Sequence, residues 1–251
     1  GLSLDRLDLS AYLPMQSDDS NGPKDTVILR EQLDAFAKTL DQFDSILELK
    51  ATSLTIGGIA IQDIYLDGTL KDGALDLRNA TIADVAGASI SAVGKLDVLG
   101  DTPSLDMQLV VETADPSPLL RLAGIVPPTQ IGATTFDTLL KGNLDHMSID
   151  ADLELPEANI EIKGKVTELD TEPQYDLTLS AQHNSLAQLF IMFIDATEEI
   201  GPNIPLSLSG TVRGDRNNAV VDLTLSLDGG TLTAAGTVTS LNSVPTASLA
   251  I

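Results

Sequence analysis

From about residue 47 onward, hydrophobic and polar positions alternate with period two, the mark of strands with one apolar and one polar face. In "YDLTLSA", Tyr175, Leu177 and Leu179 fall on one side, and Asp176, Thr178 and Ser180 on the other. "AVVDLTLSLDGGTLTAAGTV" carries the pattern through a turn at Asp228-Gly229-Gly230, with Leu223, Leu225 and Leu227 before it and Leu232 after it. Asp-Gly between alternating segments is hairpin chemistry. "KDG" at 71–73 marks a second such turn. One segment keeps a different period. In "ILREQLDAFAKTLDQFDSIL", Leu29, Leu33, Phe36, Leu40, Phe43 and Leu47 are spaced by 4, 3, 4, 3 and 4, which predicts one apolar face of a helix.

The alternation is organised as a repeat. Gly94 and Pro103 stand nine residues apart in "GKLDVLGDTPSLDMQLVV", Gly164 and Pro173 in "GKVTELDTEPQYDLTLSA", and Gly236 and Pro245 in "GTVTSLNSVPTASLAI". The frame recurs after 164 − 94 = 70 and 236 − 164 = 72 residues. Glycine is expected to permit a bend at the entry of one strand. Proline is expected as the first residue of the next, where its missing N–H removes no needed ladder bond. Each unit reads as four antiparallel strands: 59–71, 74–84, 88–98 and 104–113; then 134–144, 147–155, 158–168 and 174–183; then 205–213, 219–227, 231–240 and 245–251. Short helices are expected after the first two units, at 116–125 and 184–200, with Asp115 and Asn184 as N-caps.

The expected fold is therefore mainly β: an extended, curled antiparallel sheet, groove-like or jelly-roll-like, of repeated four-strand units with short helices. Residues 1–46 form an N-terminal strand, a loop and an amphipathic helix packing on the sheet. Residues 47–251 form the repeated region, in units of about 59–125, 134–200 and 205–251. The third unit ends where its helix would begin and the chain starts without Met, so an excised piece of a longer protein is expected.

Composition narrows the partners. The formal charge is −23, from 37 acidic and 14 basic residues. Such a surface repels phosphate backbones, and with no basic stripe nucleic acid is excluded as an expected partner. Cysteine is absent, which removes disulfides, thiolate metal sites and Cys nucleophiles. No apolar run is long enough to span a bilayer as a helix.

Candidate chemistry is sparse. His146 and His183 are the two histidines, each without the partners that catalysis needs. "HNS" at 183–185 lacks a nucleophile elbow, and Ser185 reads better as a helix cap. "SDDSNG" at 17–22 resembles part of a calcium loop, but Ser17 and Ile28 stand where that loop needs Asp and Glu. Asp150 and Asp152 share a strand face, as a glycosidase pair would, yet outward acidic positions of an alternating strand explain them more simply. The expectation is no enzyme, no cofactor and no metal.

What remains is the aliphatic face. Its candidate members are Ile59, Ile61, Leu75, Leu77, Leu105, Met107, Leu109, Ile160, Ile162, Leu177, Leu179, Leu206, Leu208, Leu223 and Leu225. The expected helices are too short to cover about a dozen strands. Either the sheet closes on itself as a sandwich or jelly roll, or it curls into a trough holding hydrocarbon. Aromatics are 3 % of the chain while hydrophobic residues are 43 %. Flexible aliphatic walls of that kind suit acyl chains.

Three stretches resemble a known family. "LSLDRLDLSAYLP" at 2–14 resembles the Leu-Asp-rich motif of the bacterial AsmA-like family. "LELKATSLTIGGIAIQDIYLDGTLKDGALDLRNATIADVAGASISAVGKLDV" at 47–98 resembles its Gly-centred strand, hairpin and following strand. "DLTLSAQHNSLAQLF", with the later "IPLSLSGTVRGD", resembles its repeat. The departure is "DVAGASISAVG" at 84–94, which holds Gly87 and Gly94 where the family often has paired glycines. The resemblance implies the C-terminal periplasmic part of a protein anchored in the inner membrane of a Gram-negative bacterium by an N-terminal helix. It implies a repeating β-groove that carries phospholipids between the inner and outer membranes, and it carries over no residue-level motif. The alternative expectation is a closed β scaffold assisting outer-membrane protein assembly. A polysaccharide-acting enzyme is disfavoured.

Overall fold

The computed structural model describes residues 2–8, 44–56, 59–97, 103–122, 124–126, 131–185, 204–240 and 246–250. It is mainly β. Among the described residues, fourteen strands follow one another in chain order: β1 (Leu2–Asp8), β2 (Ser45–Ile56), β3 (Ile59–Lys71), β4 (Ala74–Val85), β5 (Ala88–Asp97), β6 (Ser104–Thr113), β7 (Thr134–Asn143), β8 (His146–Glu154), β9 (Ala158–Thr167), β10 (Gln174–His183), β11 (Leu206–Gly214), β12 (Asn218–Leu227), β13 (Gly230–Thr239) and β14 (Thr246–Ala250). Among the described residues there is one helix, α1 (Ser117–Leu122).

The chain divides into two compact units, 1–113 with 139–144, and 114–138 with 145–251. Each is an open, curled antiparallel sheet. In the first unit β2 to β6 pair antiparallel with their sequence neighbours, and β1 adds to β2 in parallel. In the second, β8 to β14 pair antiparallel in order. Short connections explain this: tight turns such as Asp72-Gly73, with both residues at positive φ, can only join antiparallel neighbours.

The twelve expected strands of the repeat appear, displaced by no more than one residue at most of their ends. The repeat frame is corrected in detail. Gly94, Gly164 and Gly236 are each the seventh residue of a ten-residue strand, not an opening residue. Pro103 and Pro173 stand immediately before β6 and β10 rather than as their first residues. Pro245 lies outside the described residues.

Three further expectations are adjusted. The helical pattern ending at Leu47 gives way to strand at Ser45, because Leu47 also begins the alternation Leu47, Leu49, Ala51. The helix expected at 116–125 is only six residues long. Asp115 does cap it, accepting hydrogen bonds from the Ser117 backbone N–H (3.0 Å) and hydroxyl (2.6 Å), which hold its carboxyl below the usual range. Gly124, at positive φ just past its end, terminates it. The bulk of the amphipathic helix at 29–47, the calcium-like loop at 17–22 and the helix at 184–200 lie outside the described residues.

Candidate functional site

Cross-strand registry shows what the alternation builds. In the second unit, direct partners run Leu153–Ile160–Ala181–Leu208–Leu225–Leu232 across β8 to β13. Two residues along each strand, the next row is Ala151–Ile162–Leu179–Gly210–Leu223–Ala234. The third is Ile149–Gly164–Leu177–Val212–Val221–Gly236, and the fourth is Met147–Val166–Tyr175–Gly214–Ala219–Val238. Direct partners share a face, as do residues two apart. These four rows are therefore one aliphatic surface, interrupted in polarity by the hydroxyl of Tyr175 alone. The four rows span about 20 Å along the strands, and six strands span about 24 Å across them.

The opposite face is polar in its central rows, apart from Ala235. Asp152–Glu161–Ser180–Ser209–Thr224–Thr233 is one row, and Asp150–Lys163–Thr178–Thr211–Asp222–Ala235 the next. Lys163 lies 3.4 Å from Asp150, and Arg213 lies 2.8 Å from Asp176. Asp150, first among the causes, raises the Lys163 pKa. Asp150 and Asp152 thus face solvent beside a lysine and a glutamate, as outward positions of an alternating strand do.

The first unit has the same two faces. β5 alternates without interruption and serves as reference. Its Ala88, Ile90, Ala92, Gly94 and Leu96 pair with Val85, Ile82, Ala80, Leu77 and Leu75 on one side. On the other they pair with Thr113, Val111, Leu109, Met107 and Leu105. Ile61, Ile64, Leu66, Gly68 and Leu70 of β3 continue the rows, followed by Leu54, Ala51, Leu49 and Leu47 of β2. On the polar face Asp76, Lys95 and Asp106 are successive partners; Lys95 lies 3.3 Å from Asp76, and Lys141 2.6 Å from Asp106. Arg78 binds Asp67 through two nitrogens, holding that carboxyl below its usual range.

All fifteen candidate residues lie on these aliphatic faces. Among the described residues, the buried hydrophobic side chains are Ala51, Leu70 (3 % exposed), Leu77 (8 %), Ala88, Ala151 and Ala219. Only Leu70 and Leu77 are large. The other fourteen candidates are partly exposed, neither packed away nor fully in water. The six residues of α1 span about 9 Å and cover little of such a surface.

Sequence reasoning missed much of the face, including Ile82, Ile90, Leu153, Val166, Val212 and Val221. The second-unit members were available from the alternation itself. Those in β3 and β4 were hidden by register shifts at Asp67/Gly68, Leu77/Ala80 and Ile82/Val85 and by the positive φ of Asp63. The first two shifts mark one extra residue in β4 seen from either side, the third marks a second, and Asp63 is an extra residue in β3; each changes which parity points to the apolar side.

The histidines have structural settings. His146 is exposed. His183 Nδ1 accepts a hydrogen bond from the Ser185 backbone N–H at 3.0 Å, and Ser185 is buried. Among the described residues no cluster of His, Cys, Asp or Glu is arranged to hold a metal ion, and no helix is long and apolar enough to cross a membrane. No protein-family model, curated protein or solved structure matches this chain.

Proposed function

We propose that the aliphatic faces bind phospholipid acyl chains, and that the protein is a non-enzymatic lipid-binding groove contributing to phospholipid transport between the inner and outer membranes. The observation that carries this reading is the unbroken set of aliphatic rows whose large side chains stay partly exposed. Water against that surface is costly, at roughly 25 cal/mol per Å². A hydrocarbon chain removes the cost without needing a directional partner. A sixteen-carbon chain crossing water forfeits about 13 kcal/mol, at ~0.8 kcal/mol per methylene. On an aliphatic sheet the chain exchanges one hydrocarbon surrounding for another, and that barrier falls.

The envelope setting rests on the resemblance to the AsmA-like family: a periplasmic body whose parent protein is anchored in the inner membrane. The alternative, a closed scaffold for outer-membrane protein assembly, needs both apolar faces packed on protein. The partial exposure of Leu177, Leu179, Leu223 and Leu225 counts against it.

The test is native mass spectrometry of gently purified protein, followed by organic extraction and lipid identification. Co-purified phospholipid is the expected result. Protein that is lipid-free, and stays so after incubation with phosphatidylethanolamine–phosphatidylglycerol vesicles, would remove the basis of the proposal.

A further inference from the structure

The aliphatic face carries glycines in a regular place. Counting four strands per repeat, the first and third strands of the first repeat hold Gly68 and Gly94, the third strand of the second holds Gly164, and the first and third of the third hold Gly210 and Gly236. Gly68 and Gly94 share the row Leu47–Gly68–Leu77–Gly94–Met107. Gly164 and Gly236 share the row Ile149–Gly164–Leu177–Val212–Val221–Gly236, with Gly210 and Gly214 one row to either side.

These positions are not merely small. A Cβ placed on Gly164 would overlap the carbonyl oxygen of Asp176 and lie 2.8 Å from the Leu177 Cα. On Gly210 it would overlap the carbonyl of Asp222 and lie 2.8 Å from the Leu223 Cα. On Gly94, whose φ is +147°, it would overlap the carbonyl of Asp106 and lie 2.7 Å from the Met107 Cα. In an ordinary ladder facing Cβ atoms stand about 4.5–5.5 Å apart. Here the backbone of the following strand occupies the space that a side chain on the apolar side would fill. By contrast, a Cβ on Gly87, Gly124, Gly229 or Gly230 meets nothing. Glycine kinks of this kind let a strand bend sharply toward the side where the side chain is missing.

We infer that each glycine row is a crease, bending its strands toward the aliphatic face, so that a bound hydrocarbon chain lies along the crease and runs across the strands. The inference rests on the lipid-binding reading and adds to it a direction and a register. The crease row of the second unit places Ile149, Leu177, Val212 and Val221 along the chain's path. Leu153 and Leu225, two rows away, form the wall. Gly164 and Gly210 are positioning residues: they touch no ligand group that a larger residue would supply, and they set how closely the walls approach.

Two measurements test it. In the first, a photoreactive phenylalanine analogue is placed singly at Ile149, Val212 or Val221 on the crease, at Leu153 or Leu225 on the wall, and at Thr211 on the polar face. Each variant is irradiated with phosphatidylethanolamine vesicles. The lipid adduct is expected to be several-fold greater at crease positions than at wall positions, and absent at Thr211. Equal or reversed yields among the apolar rows overturn the crease. No adduct at any apolar position overturns the lipid reading, and the inference falls with it.

The second measurement needs no lipid. The chain has no cysteine, so spin labels can be introduced in chosen pairs. Ile160→Cys with Val166→Cys straddles Gly164 on the apolar face, and Glu161→Cys with Thr167→Cys straddles it on the polar face. In a straight strand each pair is about 20 Å apart at the backbone. The apolar pair is expected to be clearly shorter than the polar pair, and Gly164→Ala to bring the two together, while Gly230→Ala changes neither. Equal distances in the native chain, or a shorter polar pair, reject the crease whatever lipid does.

Discussion

Each unit keeps an aliphatic face of its own, and the two do so by different means. In β8 to β13 the registers run without a slip, and plain alternation puts every second residue on the apolar side. In the first unit β4 carries two extra residues, between Leu77 and Ala80 and between Ile82 and Val85, and in β3 Asp63 adopts φ +49° inside the strand. Each extra residue would otherwise turn the strand over, yet Ile61 and Ile64, Leu77 and Ala80, and Ile82 and Val85 all remain on the same face. The face is thus preserved against the period. The units also differ in what they bury. Among the described residues, the hydrophobic side chains buried in the bulged unit include the large Leu70 and Leu77, whereas those buried in the second are Ala151 and Ala219. Bulges increase local twist, and two large side chains near them are buried, while Ile61, Leu75, Leu105, Met107 and Leu109 of the same unit stay partly exposed like their counterparts in the second.

The largest effect should come from charging the two faces at matched places. Leu77→Asp puts a carboxylate at a position 8 % exposed, with no cation among its register partners Gly68 and Gly94. Even Leu77→Ala is expected to cost about 2–5 kcal/mol. Leu77→Asp should exceed that and abolish the cooperative melting of the first unit. Leu177→Asp or Leu223→Asp, on partly exposed positions, should lower the melting temperature by only a few degrees. These two should instead eliminate retained phospholipid. Thermal scans and lipid extraction on the same samples separate the cases. A native melting curve for Leu77→Asp, or full lipid retention in Leu177→Asp, breaks the contrast.

The next effect tests whether the irregular register is specified by sequence. A non-glycine residue in left-handed conformation costs roughly 1–2 kcal/mol, least for Asp and Asn and most for β-branched residues. Asp63→Val should therefore destabilise the first unit by about that amount, and Asp63→Gly should be neutral or slightly stabilising. Denaturant unfolding gives both values. If Asp63→Val is harmless, the strand tolerates regular pairing and the bulge is not set by this residue.

The same contrast explains what could be read from the sequence. Strands β7 to β13 were legible because alternation and hairpin chemistry agree, with Leu177, Leu179, Leu223 and Leu225 all in phase. The face in β3 and β4 was half hidden: counting by twos from Ile61 passes through Asp63 and Tyr65 and misses Ile64 and Leu66. Asp63 was the available signal, since Asp is one of the few residues that tolerates positive φ. The start of β2 was obscured because Leu47 closes a helical spacing and opens a strand spacing at once. The place of the glycines within their strands was unreadable, because glycine serves strand ends and strand bends equally well. Only the closeness of the Asp176 and Asp222 carbonyls distinguishes the two uses.

The smallest predicted effect compares two carboxylates held low by different causes. Asp67 in the first unit is lowered chiefly by its hydrogen bonds from Arg78. Asp215 in the second is lowered chiefly by the backbone N–H groups of Asn217 (2.7 Å) and Asn218 (2.9 Å), which close the β11–β12 turn. Both have folded pKa values below the ordinary 3.8. Each therefore contributes stability that is full above that value and is lost as pH falls through the lower folded one. Acid titration alone cannot tell them apart, but salt can. Raising ionic strength from 0.1 M to 1 M shortens the screening length from about 10 Å to about 3 Å. It also relieves the self-repulsion of a chain carrying −23, so the raw melting temperature is an ambiguous reading. The gap between wild type and each variant is not, because the common repulsion largely cancels. The gap for Asp67→Asn should narrow in salt, since the exposed ion pair with Arg78 is screened. The gap for Asp215→Asn should persist, since an Asx turn depends on short hydrogen bonds more than on net charge. Equal salt dependence of the two gaps would mean that the Arg78 pair acts through hydrogen-bond geometry alone.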